Sequence, residues 1–181
     1  YMIERLARLP VDVDYASEYR YRNPIPDRNA LGLLITQSGE TADTLAAQRE
    51  MRTLGSKTVA ICNVVGAMVA REAHGAIYTH AGPEIGASST KAFSTQMTAL
   101  YLLALQIAKQ RQSLPGEEIR RHGQNLRELP NHVQEVLELN DIAETLARRF
   151  APYPSFLYLG RGIQYPIAME GSLKLKEISY I

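Results

Sequence analysis

The sequence has no tryptophan and a single cysteine among its 181 residues. One thiol cannot close an internal disulfide, which points to a reducing compartment, so a cytoplasmic location is expected. Cys62 stands inside the apolar run TVAICNVV and reads as a small core residue. Neither sign of charge is in excess: 20 Lys and Arg stand against 19 Asp and Glu, a net of +1. That balance carries no signature of nucleic-acid or membrane-surface binding, and neither partner is expected. Long hydrophobic runs are missing too. The longest, ALYLLALQIA at 99–108, is too short to span a bilayer. No signal-peptide pattern opens the chain. His74, His80, His122 and His132 are scattered without metal-ligand spacing, so no metal and no cofactor is expected.

What is present is an alternation of short apolar runs with helical stretches. LGLLIT (31–36), KTVAICNVV (57–65), GAIYTH (75–80) and SFLYLG (155–160) have the length and composition of buried parallel strands. VDVDYA near residue 11 alternates like a further strand, and YRYRNPIPDRNA reads as loop. Helices are expected at 40–54, closed by Gly55, at AMVARE, and from near residue 89 through the long apolar run. Another is expected from Pro115 to Pro130, followed by helix in two pieces, then one from Gln164 on. Strand–helix alternation implies an α/β fold with a parallel sheet. The strand–polar turn–helix pattern occurs at 31–54 and again at 155–178, which suggests two related units. The chain opens on what reads as the second half of a helix and stops at KEISYI without a closing signal. The expectation is a piece of a larger protein.

Three stretches carry candidate chemistry. TQSGET (36–41) lies between a strand and a helix, where ligands bind in open α/β sheets. Thr36, Ser38 and Thr41 bring hydroxyls, Gln37 an amide, and Gly39 allows close backbone approach. With a helix start beside them, these neutral donors suit a phosphate. No Lys or Arg is present, so this is not a P-loop. The plainer alternative is a helix cap, with Ser38 as N-cap and Thr41 as the third helical residue. GASSTKAFSTQ (86–96) is a second hydroxyl-rich loop before a helix. In MEGSLKLKE, Lys174 and Glu177 are three apart and Glu170 is four before Lys174, so all three share a helix face. They form either a proton-transfer pair or a surface salt bridge.

Together, TQSGETADTLAA, GPEIGASSTKAFSTQ and LGRGIQYPIAMEGSLKLKEISYI, with YASEYRYRNP at 15–24, resemble the sugar isomerase (SIS) domains of glutamine–fructose-6-phosphate aminotransferases. The resemblance runs over essentially the whole chain, and EGSLKLKEISYI is its most specific part. It implies a three-layer αβα fold with a flavodoxin-like parallel sheet. Residues 1–112 would be the first SIS unit, with its N-terminal strand and helix partly missing. Residues 113–140 would be a helical linker, and 141–181 the truncated start of a second unit. The activity it implies is conversion of fructose 6-phosphate and glutamine-derived ammonia to glucosamine 6-phosphate by a homodimer bearing an N-terminal glutaminase domain. A non-catalytic phosphosugar-binding regulatory module is the alternative.

Carried over residue by residue, the resemblance puts substrate contacts on Thr36, Gln37, Ser38, Thr41 and Ser89, with Ala87 in the substrate-side wall. It puts the base that moves a proton between C1 and C2 on Glu177, assisted by Lys174. Thr36 replaces a usual serine, and Ala87-Ser88 replaces Val-Ala. The resemblance also implies a Gly-Thr-Ser turn before residue 1, and a ring-opening histidine and a Schiff-base lysine after residue 181. The piece alone is therefore expected to be inactive.

Overall fold

The computed structural model describes residues 1–25, 27–86 and 88–181. Three strands, β1 (Leu31–Ile35), β2 (Lys57–Cys62) and β3 (Gly75–Tyr78), form one parallel sheet in the order β1-β2-β3. Leu31 pairs with Lys57 and Val59 with Gly75, so the strands run in register toward a common carboxyl edge. Parallel neighbours need crossovers, and helices supply them. α3 (Ala42–Thr53) joins β1 to β2, and α4 (Met68–Glu72) joins β2 to β3.

Period-two alternation decides which helix each strand residue meets. Leu34, Ala60 and Cys62 point to one face and pack with Leu45 of α3 and Val69 of α4. Fully buried Ile61 points the other way, to the side covered by α5 (Thr90–Arg111). The result is the expected α/β layering around a parallel sheet. α1 (Met2–Ala7) lies along α5, where Leu6 and Ala7 meet Ala104, Leu105 and Ala108. Its last carbonyls are taken by Arg111 Nε (3.0 Å, on Ala7) and Ser113 Oγ (2.7 Å, on Leu6). Among the described residues, no helix is long and apolar enough to cross a membrane.

Four expectations are corrected. VDVDYA forms no strand; residues 11–15 are irregular, because among the described residues no strand pairs with them. Part of the expected loop is instead helical: α2 (Ala16–Tyr21) packs on α3, tied by an Arg20–Asp43 ion pair at 2.8 Å. The proline at 130 does not end a helix. α6 (Gly116–Leu137) runs through it, in a stretch exposed to water on both sides of the ring, so the lost hydrogen bond strands no buried carbonyl. SFLYLG (155–160) forms no strand with any of the described residues, and Leu157 and Leu159 are 91% and 87% exposed. A strand exists only by pairing, and among the described residues no strand flanks this segment. α7 (Asn140–Phe150) and α8 (Gln164–Ser179) complete the chain, and no residue from 116 on is buried.

Candidate functional site

The site is built at the carboxyl edge of the sheet, where β1 gives way to the TQSGET turn. Thr36 is buried, and its Oγ1 accepts the Gly39 N–H at 3.2 Å, which closes the turn. Ser38 Oγ accepts the Glu40 N–H at 3.2 Å. Both hydroxyls keep their own proton to donate. Gln37 and Ser38 are half-buried and Thr41 is exposed. Gly39 has φ +72, and a Cβ there would lie 2.5 Å from Ala67 Cβ and 2.9 Å from Val69 Cγ1. Only glycine fits this conformation and this space, so the backbone is held against α4, where the Gly39 carbonyl accepts the Val69 N–H at 3.0 Å.

The capping alternative does not hold. The N-cap of α3 is Thr41, three residues after Ser38, and no side chain caps it. Among the described residues, no acceptor reaches the N–H groups of Ala42, Asp43 or Thr44. These donors at the positive end of a helix favour an anion. Two carboxylates nearby would oppose one, and both are engaged elsewhere. Glu40 Oε1 accepts the Met68 N–H at 2.8 Å and so caps α4. Asp43 is neutralised by Arg20 of α2. The arrangement offers neutral hydroxyls and backbone donors to a phosphate, with the competing negative charge tied back.

The second loop behaves differently. Ser89 is the N-cap of α5, half-buried, with φ +55 and no side-chain cap bond. A serine in the left-handed region is a locally costly conformation of the kind found at binding loops. The start of α5 is held by Glu84, whose Oε2 accepts the Ala92 N–H at 3.0 Å. Ala87 lies outside the described residues. The sequence reading passed over Glu40, Asp43 and Glu84 in this role. Acidic residues at helix starts are the available signal, but their partners are distant in sequence and become visible only in the fold.

Lys174 and Glu177 lie on α8 as the spacing predicts. Lys174 Nζ is 2.9 Å from Glu170 Oε1 and 3.6 Å from Glu177 Oε2. The hydrogen bond that Lys174 donates to Glu170 raises its ammonium above the ordinary pKa, and the charge of Glu177 adds to the effect. Lys174 is thus a persistent cation and cannot serve as a base near neutral pH. Glu177 is the more open carboxylate, 42% exposed against 22% for Glu170, and so the one with room to meet a ligand. The structure does not bring this trio to the TQSGET turn. α8 packs on the segment before it, with Tyr158 against Gly171, and not on the sheet elements.

A cleft of about 590 Å³ lies at the opposite, amino edge of the sheet, lined by Arg49, Arg52, Lys57 and His74. Helix α3 ends there, so its carbonyls give cations a reason to gather without a ligand. Arg49 is already paired with Glu72 at 2.5 Å. Among the described residues no cluster of His, Cys, Asp and Glu converges as a metal site.

Known proteins are similar to this chain in sequence and fold. The chain is 53% identical over 182 residues to the isomerizing glutamine–fructose-6-phosphate aminotransferase of Bordetella pertussis. It is 49% identical over 181 residues to the enzyme of the same name from Clostridium tetani. Each match covers 100% of this chain, which spans about 30% of the length of these relatives. The fold superimposes with a TM-score of 0.96 on the C-terminal domain of glucosamine-fructose-6-phosphate aminotransferase from Francisella tularensis, at 42% identity, covering 99% of this chain and 51% of that one. The sequence profile of the SIS domain matches residues 1–106, and the chain belongs to the SIS domain family.

Proposed function

We propose that this chain is the phosphosugar-binding and isomerising part of an enzyme that makes glucosamine 6-phosphate from fructose 6-phosphate and glutamine-derived ammonia. The observation that carries the reading is a set of donors at the start of α3 that meets no protein acceptor among the described residues: Thr36, Gln37, Ser38 and Thr41 around uncapped helix N–H groups, with Glu40 and Asp43 tied away. The names of the full-length relatives supply the substrate. On this reading residues 1–112 are one SIS unit, 113–140 a helical linker and 141–181 the start of a second. The phosphate binds at TQSGET, and Ser89 adds a hydroxyl.

Proton transfer falls to Glu177, on an α8 that reaches the sugar site in the whole assembly and not in the packing of this chain by itself. A ketose-to-aldose shift takes a proton from C1 and returns it to C2, which needs one fixed carboxylate above both carbons. Lys174, held between Glu170 and Glu177, keeps the Glu177 carboxylate in place on the helix face. Assembly with a glutaminase domain and a second copy of the chain belongs to the same reading. The test is glucosamine 6-phosphate formation by the full-length protein. Glu177→Gln is expected to cut turnover by at least about 10²-fold while phosphosugar binding persists. Equal activity in the two proteins sinks the assigned base. Binding without turnover in the wild type would instead mark a regulatory phosphosugar module.

A further inference from the structure

The two loops of the proposed phosphosugar site are joined by one residue that no part of that reading uses. Asn63 follows β2 at the carboxyl edge of the sheet and is half-buried. Its backbone N–H donates to the Gln37 carbonyl at 3.0 Å, in the middle of the TQSGET turn. Its side chain faces the other loop. Oδ1 accepts the Ala81 N–H at 2.7 Å and the Thr79 hydroxyl at 3.1 Å, and Nδ2 donates to the Gly82 carbonyl at 2.7 Å. The amide orientation is fixed by its partners, since a backbone N–H can only donate and a carbonyl can only accept. Inside the clasped turn His80 sits at φ +51, a left-handed conformation uncommon for a non-glycine residue. Two residues past the clasp come Glu84, which holds the start of α5, and then Ser89.

We propose that Asn63 is a positioning residue for phosphosugar binding: it locks the loop that leads to Ser89 against the TQSGET anchor, so that both present their hydroxyls to one ligand. This rests on the phosphosugar reading above. Asparagine is needed because the clasp requires an acceptor for two donors and a donor for one carbonyl on a single short side chain. Aspartate keeps the acceptors but sets its second oxygen against the Gly82 carbonyl. Alanine keeps only the backbone link to Gln37.

The test is calorimetric titration of the full-length protein with glucosamine 6-phosphate, in a double-mutant cycle with Ser89→Ala. Asn63→Ala is expected to weaken binding about tenfold, Asn63→Asp by less, and Asn63→Ala in the Ser89→Ala background by almost nothing further. That coupling separates positioning from general loosening, which would weaken binding equally in both backgrounds. Thr79→Val removes one clasp bond with little change in volume and gives the same coupling on a smaller scale if Asn63→Ala does not fold. Additive effects, or undiminished affinity in both Asn63→Ala and Thr79→Val, overturn the clasp while the phosphosugar reading stands. A wild-type protein that does not bind glucosamine 6-phosphate overturns both.

Discussion

Helices α3 and α5 start at the same edge of the same sheet, yet they are finished differently. The first N–H groups of α3 meet no protein acceptor among the described residues, and its two nearby carboxylates are turned to Met68 and Arg20. The start of α5 keeps its carboxylate: Glu84 accepts from Ala92. A helix N-terminus is an anion site only while its own acids stay off it. The difference teaches that what leaves helix donors free here is where the acids are tied, not the presence of hydroxyls, since both loops carry them.

The largest expected break in this comparison is at Gly39. Gly39→Ala places a Cβ against Ala67 and Val69 and asks alanine to hold φ +72. Left-handed strain and overpacking together cost roughly 2–5 kcal/mol. Urea unfolding would show it, and phosphosugar affinity should fall with the turn. A stability change under about 0.5 kcal/mol would mean the turn is not pinned against α4.

Next in size is Ser38→Ala. A hydrogen bond to a charged phosphate is worth ~1.5–3 kcal/mol, so glucosamine 6-phosphate should bind about 10- to 100-fold more weakly by calorimetry. Stability should hardly move, because Ser38 caps no helix. The opposite result, lost stability with unchanged affinity, returns TQSGET to a structural role. Glu84→Ala should do the reverse of Ser38→Ala at the other helix. Losing the carboxylate on Ala92 should cost about 1 kcal/mol in a denaturant melt, the usual scale for a helix cap. An unchanged melt would show that α5 starts without help from Glu84.

These contrasts follow the limits of what the sequence discloses. β1, β2, β3 and the helices between them were legible because their apolar runs are short, separate and bounded by turn residues. VDVDYA alternates as regularly as a strand does, but pairing depends on neighbours, and none is present beside it. SFLYLG misleads for the same reason. α2 was hidden because its reason to be helical is its contact with α3 through Arg20 and Asp43, 23 residues apart. That TQSGET turns the chain between β1 and α3 was legible from its residues. Its cap was misplaced by three positions, because a serine before a helix looks like a cap whether or not the helix begins there. The i, i+3 and i+4 relations of Glu170, Lys174 and Glu177 are local, so spacing alone placed them correctly on one helix face.

The smallest effect is also the sharpest test of the comparison. Thr41 occupies the N-cap of α3 in extended conformation, φ −65 and ψ 123, yet its side chain makes no cap bond. A threonine N-cap ordinarily contributes ~0.5–2 kcal/mol, and its loss is read as lost stability. Here there is no bond to lose, so Thr41→Ala should shift the unfolding free energy by less than about 0.5 kcal/mol. If the hydroxyl is held for a ligand, the penalty appears instead in glucosamine 6-phosphate affinity. Measured beside Glu84→Ala, the two variants should therefore separate cleanly, one losing affinity and the other stability. If Thr41→Ala destabilises the protein as much as Glu84→Ala does, the two helix starts are finished alike, and α3 has no donors to spare for a phosphate.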